Sequence, residues 1–480
     1  MTTFFWHDYE TFGADPVRDR PAQFAGVRTD EDLNIIDDPV TLYCQPTDDY
    51  VPDPQACLIT GITPQHCMEE GVPEAEFIAR INEEFSVPGT CGVGYNSLRF
   101  DDEVTRHTLY RNLMDPYQRE WKNGNSRWDI IDMVRLAYAV RPEGIEWPLR
   151  DDGSPSFRLE DLTEANGIEH GQAHDAMADV YATIEMARLI RQRQPKLYDY
   201  VVFHRHKQAI FPMLDWSSMK PVLHVSAMYP SRVGCCALVV PLAPHPENRN
   251  SVIVFDLRQD PEFLIHASED EIRERLFTRQ SDLPEGAERV AIKEVRANTC
   301  PILAPASMLR SLSEERLQAF ELDRDQLKHH LEQLKSAHGL AEKIGNLYRR
   351  ERDSEPADPD EALYSGGFFS PHDRQLLDQV LATSPELLGE LELPFEDSRL
   401  PDLVFRYRAR NFPGTLDAPE QERWEAFRQQ RLLEPESGWR SLPVFFQRIE
   451  ELVNSGKLDQ REQLMMQDLQ FYGESLIPYV

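Results

Sequence analysis

The segment FFWHDYETFG, residues 4 to 13, places two carboxylates in a run whose aromatic residues predict a buried strand. Asp8 and Glu10 are two residues apart, so strand geometry directs both side chains to the same face of a sheet. Adjacent carboxylates repel each other unless a positive charge lies between them, and a divalent metal ion would supply that charge. The alternative is a strand that ends in the polar turn FGADP, with both carboxylates in water. These ten residues alone leave that choice open.

Strand and helix patterns alternate through the first 200 residues. FFWHDYE is followed by two or three short strands within residues 23–46 and later by the apolar strand CGVGYN. Helical spacing is found in the segments EAEFIARINEEFS, FDDEVTRHTLYRNLM, WDIIDMVRLAYAV, RLEDLTEANGI and DAMADVYATIEMARLIRQR. This alternation predicts a mixed sheet with helices on its faces, which is an α/β architecture.

The pattern changes after residue 197. Three runs, KPVLHVSAMY, CCALVVPLAP and NSVIVFDL, are short, rich in β-branched residues and broken by Pro, Asn and Gly. They predict a small β-barrel or sheet, and helical segments follow it. A polar, Pro-bearing stretch at 349–367 predicts a linker, and the segments beyond it have helical spacing. We therefore predict three domains, at residues 1–197, 198–350 and 351–480.

The charge and the cysteines exclude several classes of protein. A net charge of −32 argues against a general nucleic-acid coat protein, although a nucleic-acid enzyme depends on the local field in its groove. No apolar stretch approaches the roughly 20 residues that span a bilayer, and the N-terminus has no apolar secretory segment. The seven cysteines are scattered without a C-x-x-C pair, which favours reduced thiols over disulfides or a zinc site. We predict a cytoplasmic protein with no membrane association.

Two further acidic motifs follow in the first domain. In GYNSLRFDDEVTR a helix begins with Asp101 and Asp102 in its first turn, where ordinary helix electrostatics would also favour carboxylates. In HGQAHDAMADVYATIEMARLI, His174 precedes a helix and Asp179 lies five residues on, although a capping or buried His is the simpler interpretation of that residue alone. The segment LITGIT, at 58–63, has a Gly between β-branched residues, where the backbone could approach a ligand closely.

These residue types suit the hydrolysis of a phosphodiester. Two divalent ions roughly 3.5–4 Å apart would activate a water and stabilise both the attacking and the leaving oxygen. Such ions prefer carboxylate oxygens as ligands, and a His with a pKa near neutrality can accept the proton of the attacking water. We predict that His174 is this base and that the ligands are Asp8, Glu10, Asp101 and Asp179.

The order and spacing of the motifs resemble the DEDDh exonuclease family, which has a ribonuclease-H-like fold. The His-x4-Asp spacing marks the histidine branch of that family. Within it, the similarity to the bacterial exodeoxyribonuclease I group covers nearly the whole chain and is loose only across residues 305–400. The similar segments are HDYETFG, DRPAQFAGVRTD, LITGIT, GYNSLRFDDEVTR, NSRWDIIDM, RPEGIEWP, SFRLEDLTEANGIEH, AHDAMADVYATIEMA, MKPVLHVSAM, PLAPHPENRNSVIVFDL and RYRARNFPGTLD.

The resemblance implies a processive 3′→5′ exonuclease, specific for single-stranded DNA, that releases 5′-mononucleotides and acts in DNA repair and recombination. It implies two Mg²⁺ ions per active site, with Mn²⁺ as the alternative, and a monomer is the simplest assembly. It also implies a ribonuclease-H-like nuclease domain, an SH3-like β domain and a C-terminal helical domain that together form a channel. The catalytic set of the family corresponds to Asp8, Glu10, Asp101, His174 and Asp179. Glu10 would contact the substrate as well.

Several residues are candidates for DNA contacts. The segment DPYQREWKNGNSRWD interleaves aromatic and basic residues, which is the composition that sequence-tolerant binding of single strands requires. A partly exposed aromatic cluster under a loop is the alternative, and the resemblance favours Tyr117 and Trp121 as stacking platforms. Arg106 and Arg135, on neighbouring helices, are candidate cations, and the resemblance assigns a phosphate contact to Arg158. The segment RYRARN at 406–411 adds a basic strip that would bind DNA or form a solvated face.

The resemblance also implies a protein partner. Relatives bind the acidic, Phe-ended C-terminal tail of single-stranded DNA-binding protein, which needs cations for a carboxylate and a pocket for the Phe. The corresponding positions are Arg141, Tyr200, Lys220 and Arg310.

Three other functions compete with this interpretation. A DEDDh ribonuclease that trims RNA 3′ ends would use the same carboxylates, but such small enzymes lack the long region that follows the nuclease domain. A non-catalytic DNA-binding or scaffold protein would be expected to have lost an acidic ligand, and all four are retained. A polymerase-bound proofreading subunit would use its C-terminal region as a partner-binding tail, whereas the β segments and RYRARNFPGTL suit a folded clamp better.

Overall fold

The structure is a computed structural model that describes residues 2–169, 171, 175–349, 358–434 and 438–478. The chain divides into two compact units. The first contains residues 1–126, 170–181 and 353–480, and the second contains residues 127–169 and 182–352. Within the described ranges, no helix is both long and apolar enough to cross a membrane.

Ten strands occur in the described part of the chain. They are β1 (Thr3–Thr11), β2 (Pro21–Thr29), β3 (Val40–Tyr43), β4 (Thr90–Gly94), β5 (Ser126–Asp129), β6 (Val222–Val225), β7 (Cys236–Pro244), β8 (Ser251–Asp256), β9 (Ile292–Arg296) and β10 (Ile302–Pro305). The first unit has the strand order β3-β2-β1-β4, and β5 lies where the chain passes from the first unit to the second. The second unit has the order β10-β6-β7-β8-β9.

Nineteen α-helices occur in the same ranges. They are α1 (Pro54–Thr60), α2 (Pro64–Glu70), α3 (Glu74–Ser86), α4 (Asp101–Arg111), α5 (Ile131–Val140), α6 (Leu159–Ala165), α7 (Ala176–Arg193), α8 (Pro195–His204), α9 (Lys207–Ile210), α10 (Glu262–His266), α11 (Glu269–Phe277), α12 (Glu314–Ala319), α13 (Arg324–Ser336), α14 (Leu340–Leu347), α15 (Pro371–Ala382), α16 (Leu400–Asn411), α17 (Ala418–Leu433), α18 (Leu442–Asn454) and α19 (Gln460–Ser475).

The strand β1 is central to the first unit. It pairs with β2 in antiparallel register, with Asp8 opposite Ala25, and with β4 in parallel register, with Trp6 opposite Val93. The sheet is therefore mixed, as the sequence predicts. The aromatic residues of β1 account for its burial, because Phe5 and the residues Tyr9, Phe24, Phe77 and Phe85 belong to one hydrophobic cluster. Packing on both sides leaves β1 little freedom to move, so it is a rigid support for the carboxylates that it carries.

A second core of the first unit joins the beginning of the chain to its end. Phe12, Tyr50 and Cys57 pack in one cluster with residues of α17, α18 and α19, including Phe445 and Leu469. The spacing of apolar residues in α18 creates the face that the cluster buries, with Leu442, Phe445 and Ile449 all buried. The C-terminal helices are thus part of the same hydrophobic unit as the segment that follows β1.

The second unit contains the small β domain that the sequence predicts. Its strand pairs are all antiparallel, and its core includes Val222, Val239 and Val254. The β-branched residues that made these runs recognisable are the ones buried there, since strands with high Val content pack well on a pleated surface.

The segment LITGIT connects two helices: residues 58–60 end α1, Gly61 caps it with a φ of 72°, and the Thr63 side chain accepts a hydrogen bond at the start of α2. Its approach to a ligand stays a prediction. The predicted linker at 349–367 falls partly outside the described residues, at 350–357, but its later part is packed. There a 3-10 turn, Pro359–Glu361, contains the fully buried Asp360.

Candidate active site

The acidic cluster is built on β1 and α7. Asp8 and Glu10 project from β1, and Asp179 lies in the first turn of α7. Oxygen atoms of these three carboxylates all lie within 4.8 Å of one another, and Glu10 is buried. The pairing of β1 with β2 changes register between Glu10 and Thr11, so the regular ladder ends at the last carboxylate. The interpretation in which Asp8 and Glu10 lie in water beyond a strand end is therefore wrong.

Asp101 approaches the cluster from α4. Its Oδ1 accepts a hydrogen bond of 3.0 Å from the backbone N–H of Tyr9, the residue between Asp8 and Glu10. The Thr105 hydroxyl, one turn further along α4, donates to the Asp101 carbonyl at 2.8 Å and is hydrogen-bonded to the Tyr9 hydroxyl at 3.0 Å. The start of α4 is thus fixed to β1 by hydrogen bonds at both ends of Tyr9.

The carboxylates of the cluster repel one another. Burial raises the pKa of Asp8 well above its ordinary value, and repulsion from Asp101, Glu10 and Asp179 raises it further. Burial likewise raises the pKa of Glu10 to about 8, with Asp179 as the largest charged contributor. Four acidic groups held together at a cost in free energy fit a divalent cation, whose preferred ligands are carboxylate oxygens. The donor set therefore fits the predicted metal site.

His174, the predicted base, lies outside the described residues, so its role stays a prediction. The roles of the four carboxylates as ligands also stay predictions, although the structure brings all four together.

Known proteins are similar to this chain along its whole length. A family model described as Exonuclease matches residues 5–187, the Exonuclease I SH3-like domain matches residues 205–350, and the Exonuclease I C-terminal domain matches residues 357–476. Exodeoxyribonuclease I of Escherichia coli (strain K12) is 47% identical over 477 residues, which is 99% of this chain and 98% of the relative. The chain belongs to the exodeoxyribonuclease I family. The predicted enzyme class and the predicted three-part fold are thereby confirmed, and the domain boundaries stay predictions.

Solved structures of the exodeoxyribonuclease I family are similar over the same length. Exonuclease I from the moderate thermophile Methylocaldum szegediense is 52% identical with a TM-score of 0.94, covering 99% of this chain and 100% of the other. E. coli Exonuclease I in complex with a dA16 oligonucleotide is 47% identical, also with a TM-score of 0.94 and the same coverage. Further similar structures are a zinc-bound complex of the E. coli enzyme with single-stranded DNA and a complex described as SSB/Exonuclease I.

In this family member, the predicted aromatic platform lies beside α4. Trp121 is 65% exposed, Tyr117 is half-buried, and the Arg106 guanidinium lies 5.5 Å from the centre of the Tyr117 ring. The Arg106 guanidinium is already ion-paired. It donates to both carboxylate oxygens of Glu120, at 2.7 and 3.0 Å, and to Glu103 at 2.5 Å. Its predicted contact with DNA stays a prediction, and that contact would have to compete with two glutamates.

Two further aromatic residues at this place were missed by the sequence analysis. The Tyr364 hydroxyl donates to Glu103 at 2.6 Å and accepts from Arg106 at 3.1 Å. Phe368, which is 79% exposed, meets the Tyr117 ring edge-to-face at 5.8 Å between ring centres. Their signal was the pair of aromatic positions, Tyr364 and Phe368, at the end of the predicted linker, because a polar spacer does not need aromatic residues.

Of the other aromatic and basic residues of the DPYQREWKNGNSRWD segment, Lys122 is exposed, whereas Trp128 and Arg127 are not. Trp128 is 1% exposed and packs edge-to-face on Tyr198, and Arg127 is buried. Arg135 donates to Asp132 at 2.6 Å and is buried, whereas Arg158 is exposed just before α6. Arg127, Trp128, Arg135 and Arg158 belong to the second unit, and the predicted DNA contacts of Arg135 and Arg158 stay predictions.

The basic strip of RYRARN is neither a DNA surface nor a solvated face. Arg410, in α16, donates to Asp49 at 2.8 Å and to Asp360 at 2.6 Å. Arg406 also donates to Asp360, and Arg408 donates to Glu420. Asp49 and Asp360 are at most 1% exposed. These arginines therefore form a buried ion-pair network that joins the segment after β3 to α16.

The four predicted partner-binding residues lie in the second unit. Arg141 donates to Ser311 at 2.7 Å, and Tyr200 donates its hydroxyl to the Leu303 carbonyl at 2.8 Å, while Lys220 and Arg310 are exposed. Arg310 lines a cavity of about 560 Å³ beside Pro221, the neighbour of Lys220. The remaining lining residues, mostly leucines with two more cations, are Leu238, Leu257, Ala306, Ser307, Leu309, Leu317, Leu322, Arg324, Leu327, Lys328 and Leu331.

Proposed function

We propose that this chain is a single-stranded-DNA-specific 3′→5′ exodeoxyribonuclease that works processively, releases 5′-mononucleotides and contributes to DNA repair and recombination in the cytoplasm. The observation that carries the proposal is the group of carboxylates from β1, α4 and α7, in a chain that belongs to the exodeoxyribonuclease I family. The E. coli relative is described in complex with a dA16 oligonucleotide, which supports single-stranded DNA as the substrate class.

The metal ions proposed are Mg²⁺, two per site, with Mn²⁺ as the alternative. Asp8, Glu10, Asp101 and Asp179 would hold them, and the bound ions would supply positive charge at the attacking and the leaving oxygen. The protein's own part is to fix the ligands: β1 holds Asp8 and Glu10 on one face, and the Tyr9 N–H holds Asp101 beside them. His174 is proposed to accept the proton of the attacking water.

The proposal is tested with 5′-labelled single-stranded DNA, duplex DNA and single-stranded RNA of one sequence, each with Mg²⁺ and with EDTA. We expect rapid shortening from the 3′ end of the single-stranded DNA alone, and only with Mg²⁺. Preferential loss of the RNA would replace this proposal with an RNA-trimming activity. Tight binding of the DNA without cleavage would replace it with the scaffold function. A trap of unlabelled DNA added after binding tests processivity, because a processive enzyme finishes its first strand before it meets the trap.

Truncating the exposed aromatic platform is expected to weaken DNA binding. Stacking of one base on an aromatic side chain contributes about 1–3 kcal/mol, so Trp121→Ala should raise the KM for an oligonucleotide about 5- to 100-fold. The matched control is Phe471→Ala, because Phe471 is 66% exposed on α19 and far from this platform in sequence. Equal KM values for the two variants would contradict the stacking role of Trp121.

The proposed protein partner is the acidic C-terminal tail of single-stranded DNA-binding protein, and a related complex is described as SSB/Exonuclease I. The cavity beside Arg310 has the required chemistry, since leucines line it and cations rim it. Arg310→Ala should weaken binding of a Phe-ended acidic peptide about 10- to 150-fold, because a hydrogen bond to a charged group contributes about 1.5–3 kcal/mol. Arg296→Ala, at an exposed position in β9, is the control in the same fluorescence anisotropy titration. A peptide that lacks the final Phe and binds equally well would contradict the proposal.

We further propose that the protein is a monomer. Light scattering tests this.

A further inference from the structure

The loop that carries the aromatic platform, residues 117–121, has one buried residue between two outward-facing ones. Tyr117 is half-buried and Trp121 is 65% exposed, but Arg119 is only 3% exposed. Just before the loop, the Asp115 carboxylate accepts hydrogen bonds from the backbone N–H groups of Tyr117 and Gln118, at 2.9 and 3.0 Å. The loop is thus a shaped segment, anchored inward at its middle residue.

Arg119 pairs with the residue next to a candidate metal ligand. Its Nη2 donates to Asp102 Oδ1 at 2.6 Å, and the two side chains are 1% and 3% exposed. Asp102 follows Asp101 in the first turn of α4. The Arg119 guanidinium also lies 4.6 Å from the centre of the Phe85 ring, and Phe85 meets the His7 ring edge-to-face at 4.9 Å. The ion pair therefore joins the loop to the first turn of α4, the turn in which Asp101 also lies.

A second ion pair ties the same loop to the same helix. Glu120 accepts two hydrogen bonds from Arg106, which is one turn beyond Asp102 in α4. A bidentate pair of this kind fixes direction as well as distance. The aromatic platform is therefore attached at two adjacent residues to the helix whose first residue is Asp101.

We propose that the Asp102–Arg119 ion pair is a positioning device that holds the Tyr117–Trp121 loop at a fixed place relative to the carboxylate site. Neither residue would touch DNA or metal, so both are positioning residues. Bases stacked on the loop would then deliver the 3′-terminal phosphodiester to the carboxylates in register. This inference rests on the proposed function and adds to it a route by which DNA binding and catalysis are coupled.

A purely structural ion pair is the alternative, and α4 contains one that serves as a matched control. Arg111 donates to Glu74 at 3.0 Å, and these side chains are also 1% and 3% exposed. Arg111 lies at the last residue of α4, and its pair does not involve the loop. Arg111→Met and Arg119→Met should therefore both lower Tm, because each removes a buried guanidinium that pairs with a buried carboxylate.

The experiment measures three quantities in each variant: the rate on an oligonucleotide, the rate on a small ester, and oligonucleotide binding. A labelled oligonucleotide depends on the loop, whereas the p-nitrophenyl ester of thymidine 5′-monophosphate occupies only the carboxylate site. For Arg119→Met we expect the oligonucleotide kcat/KM to fall about 100-fold, the loss that a displacement of about 1 Å produces. Its rate on the ester should stay close to that of the unmodified protein. Arg119→Lys, which keeps the charge, should recover part of the loss, and Arg111→Met should change neither substrate.

Two results would overturn the inference. One is an Arg119→Met variant that matches Arg111→Met on the oligonucleotide, since the pair would then be only structural. The other is an equal loss on the oligonucleotide and the ester, since the defect would then lie in the carboxylate site itself. Binding of the labelled oligonucleotide in EDTA separates this inference from the proposed function, because it requires no cleavage. If the unmodified protein binds but does not cleave, the proposed function fails, and a loss of affinity confined to Arg119→Met still supports the positioning role.

Discussion

Asp8→Asn is expected to lower the rate of oligonucleotide cleavage by about 10³-fold or more, because charge stabilisation by bound metal contributes several kcal/mol to the transition state. Asp8 lies close to the other three carboxylates. It forms a cluster with Glu10 and Asp179, and Asp101 raises its pKa. Asn keeps the shape of the side chain and removes the charge. The measurement is single-turnover cleavage with saturating enzyme, so that weaker DNA binding does not enter the rate.

The same substitution should stabilise the protein without metal. The pKa of Asp8 is raised in the folded state, so the contribution of Asp8 to stability is fully present below the ordinary pKa of Asp and is lost as pH rises through the raised value. Asn does not titrate, so the Tm of Asp8→Asn should exceed that of the unmodified protein at pH 8 in EDTA, and the difference should vanish in acid. Mg²⁺ should raise Tm only in the unmodified protein.

The control for both measurements is Asp270→Asn, whose side chain is 96% exposed. It should change neither cleavage nor Tm measurably. An Asp8→Asn variant that cleaves at the normal rate would refute the proposed role of the cluster, and one that is destabilised at pH 8 in EDTA would refute the repulsion argument.

Asp360→Asn is expected to destabilise the first unit by about 3–5 kcal/mol, the cost of breaking a buried ion pair by removing one partner. Asp360 is 0% exposed and accepts hydrogen bonds from Arg406, Arg410 and Arg431. These arginines hold its pKa well below the ordinary value despite burial. Removing its charge leaves three guanidinium groups with Asp49 as their main remaining buried acid.

Urea unfolding at pH 7 measures this loss, and two variants make it specific. Asp402→Asn breaks the Arg423–Asp402 pair, whose side chains are 53% and 46% exposed, and should cost at most about 1 kcal/mol. Adding Arg431→Met to Asp360→Asn should recover part of the loss, because the two residues are coupled. Since the pKa of Asp360 is depressed, its contribution is present at neutral pH and is lost as pH falls. A loss as small as that of Asp402→Asn would show that the network does not stabilise the fold.

The periodicity of apolar residues predicted the helices and strands of the fold. It did not predict features that depend on contacts between residues distant in sequence. The segment EAEFIARINEEFS became α3 at Glu74–Ser86 because its apolar spacing is strictly helical. LITGIT lies where α1 ends and α2 begins, and Pro in the first turn of each of these helices is the local signal for their starts. RYRARN misled because Asp49, which neutralises Arg410, lies 361 positions away in sequence.

The residues of the candidate site also fall into two groups, those predictable from local sequence and those that depend on distant contacts. Asp8 and Glu10 were predictable because a strand has a two-residue period, and that period is local. Within the aromatic segment, sequence could not separate the exposed Trp121 from the buried Trp128, since burial depends on which elements fold over each residue. Tyr364 was missed because its partners, Arg106 and Glu103, come from a helix more than 250 residues earlier.

The core that Phe12 and Tyr50 share with Phe445 and Leu469 has a consequence for synthesis of the protein. A ribosome makes the strand that bears Asp8 and Glu10 among the first residues, but the residues that complete the core beside it are among the last. The catalytic unit therefore finishes folding only after translation of α19, and contacts of such long sequence separation form slowly. A nascent chain held before that helix should carry the complete acidic motif and yet be unable to degrade DNA.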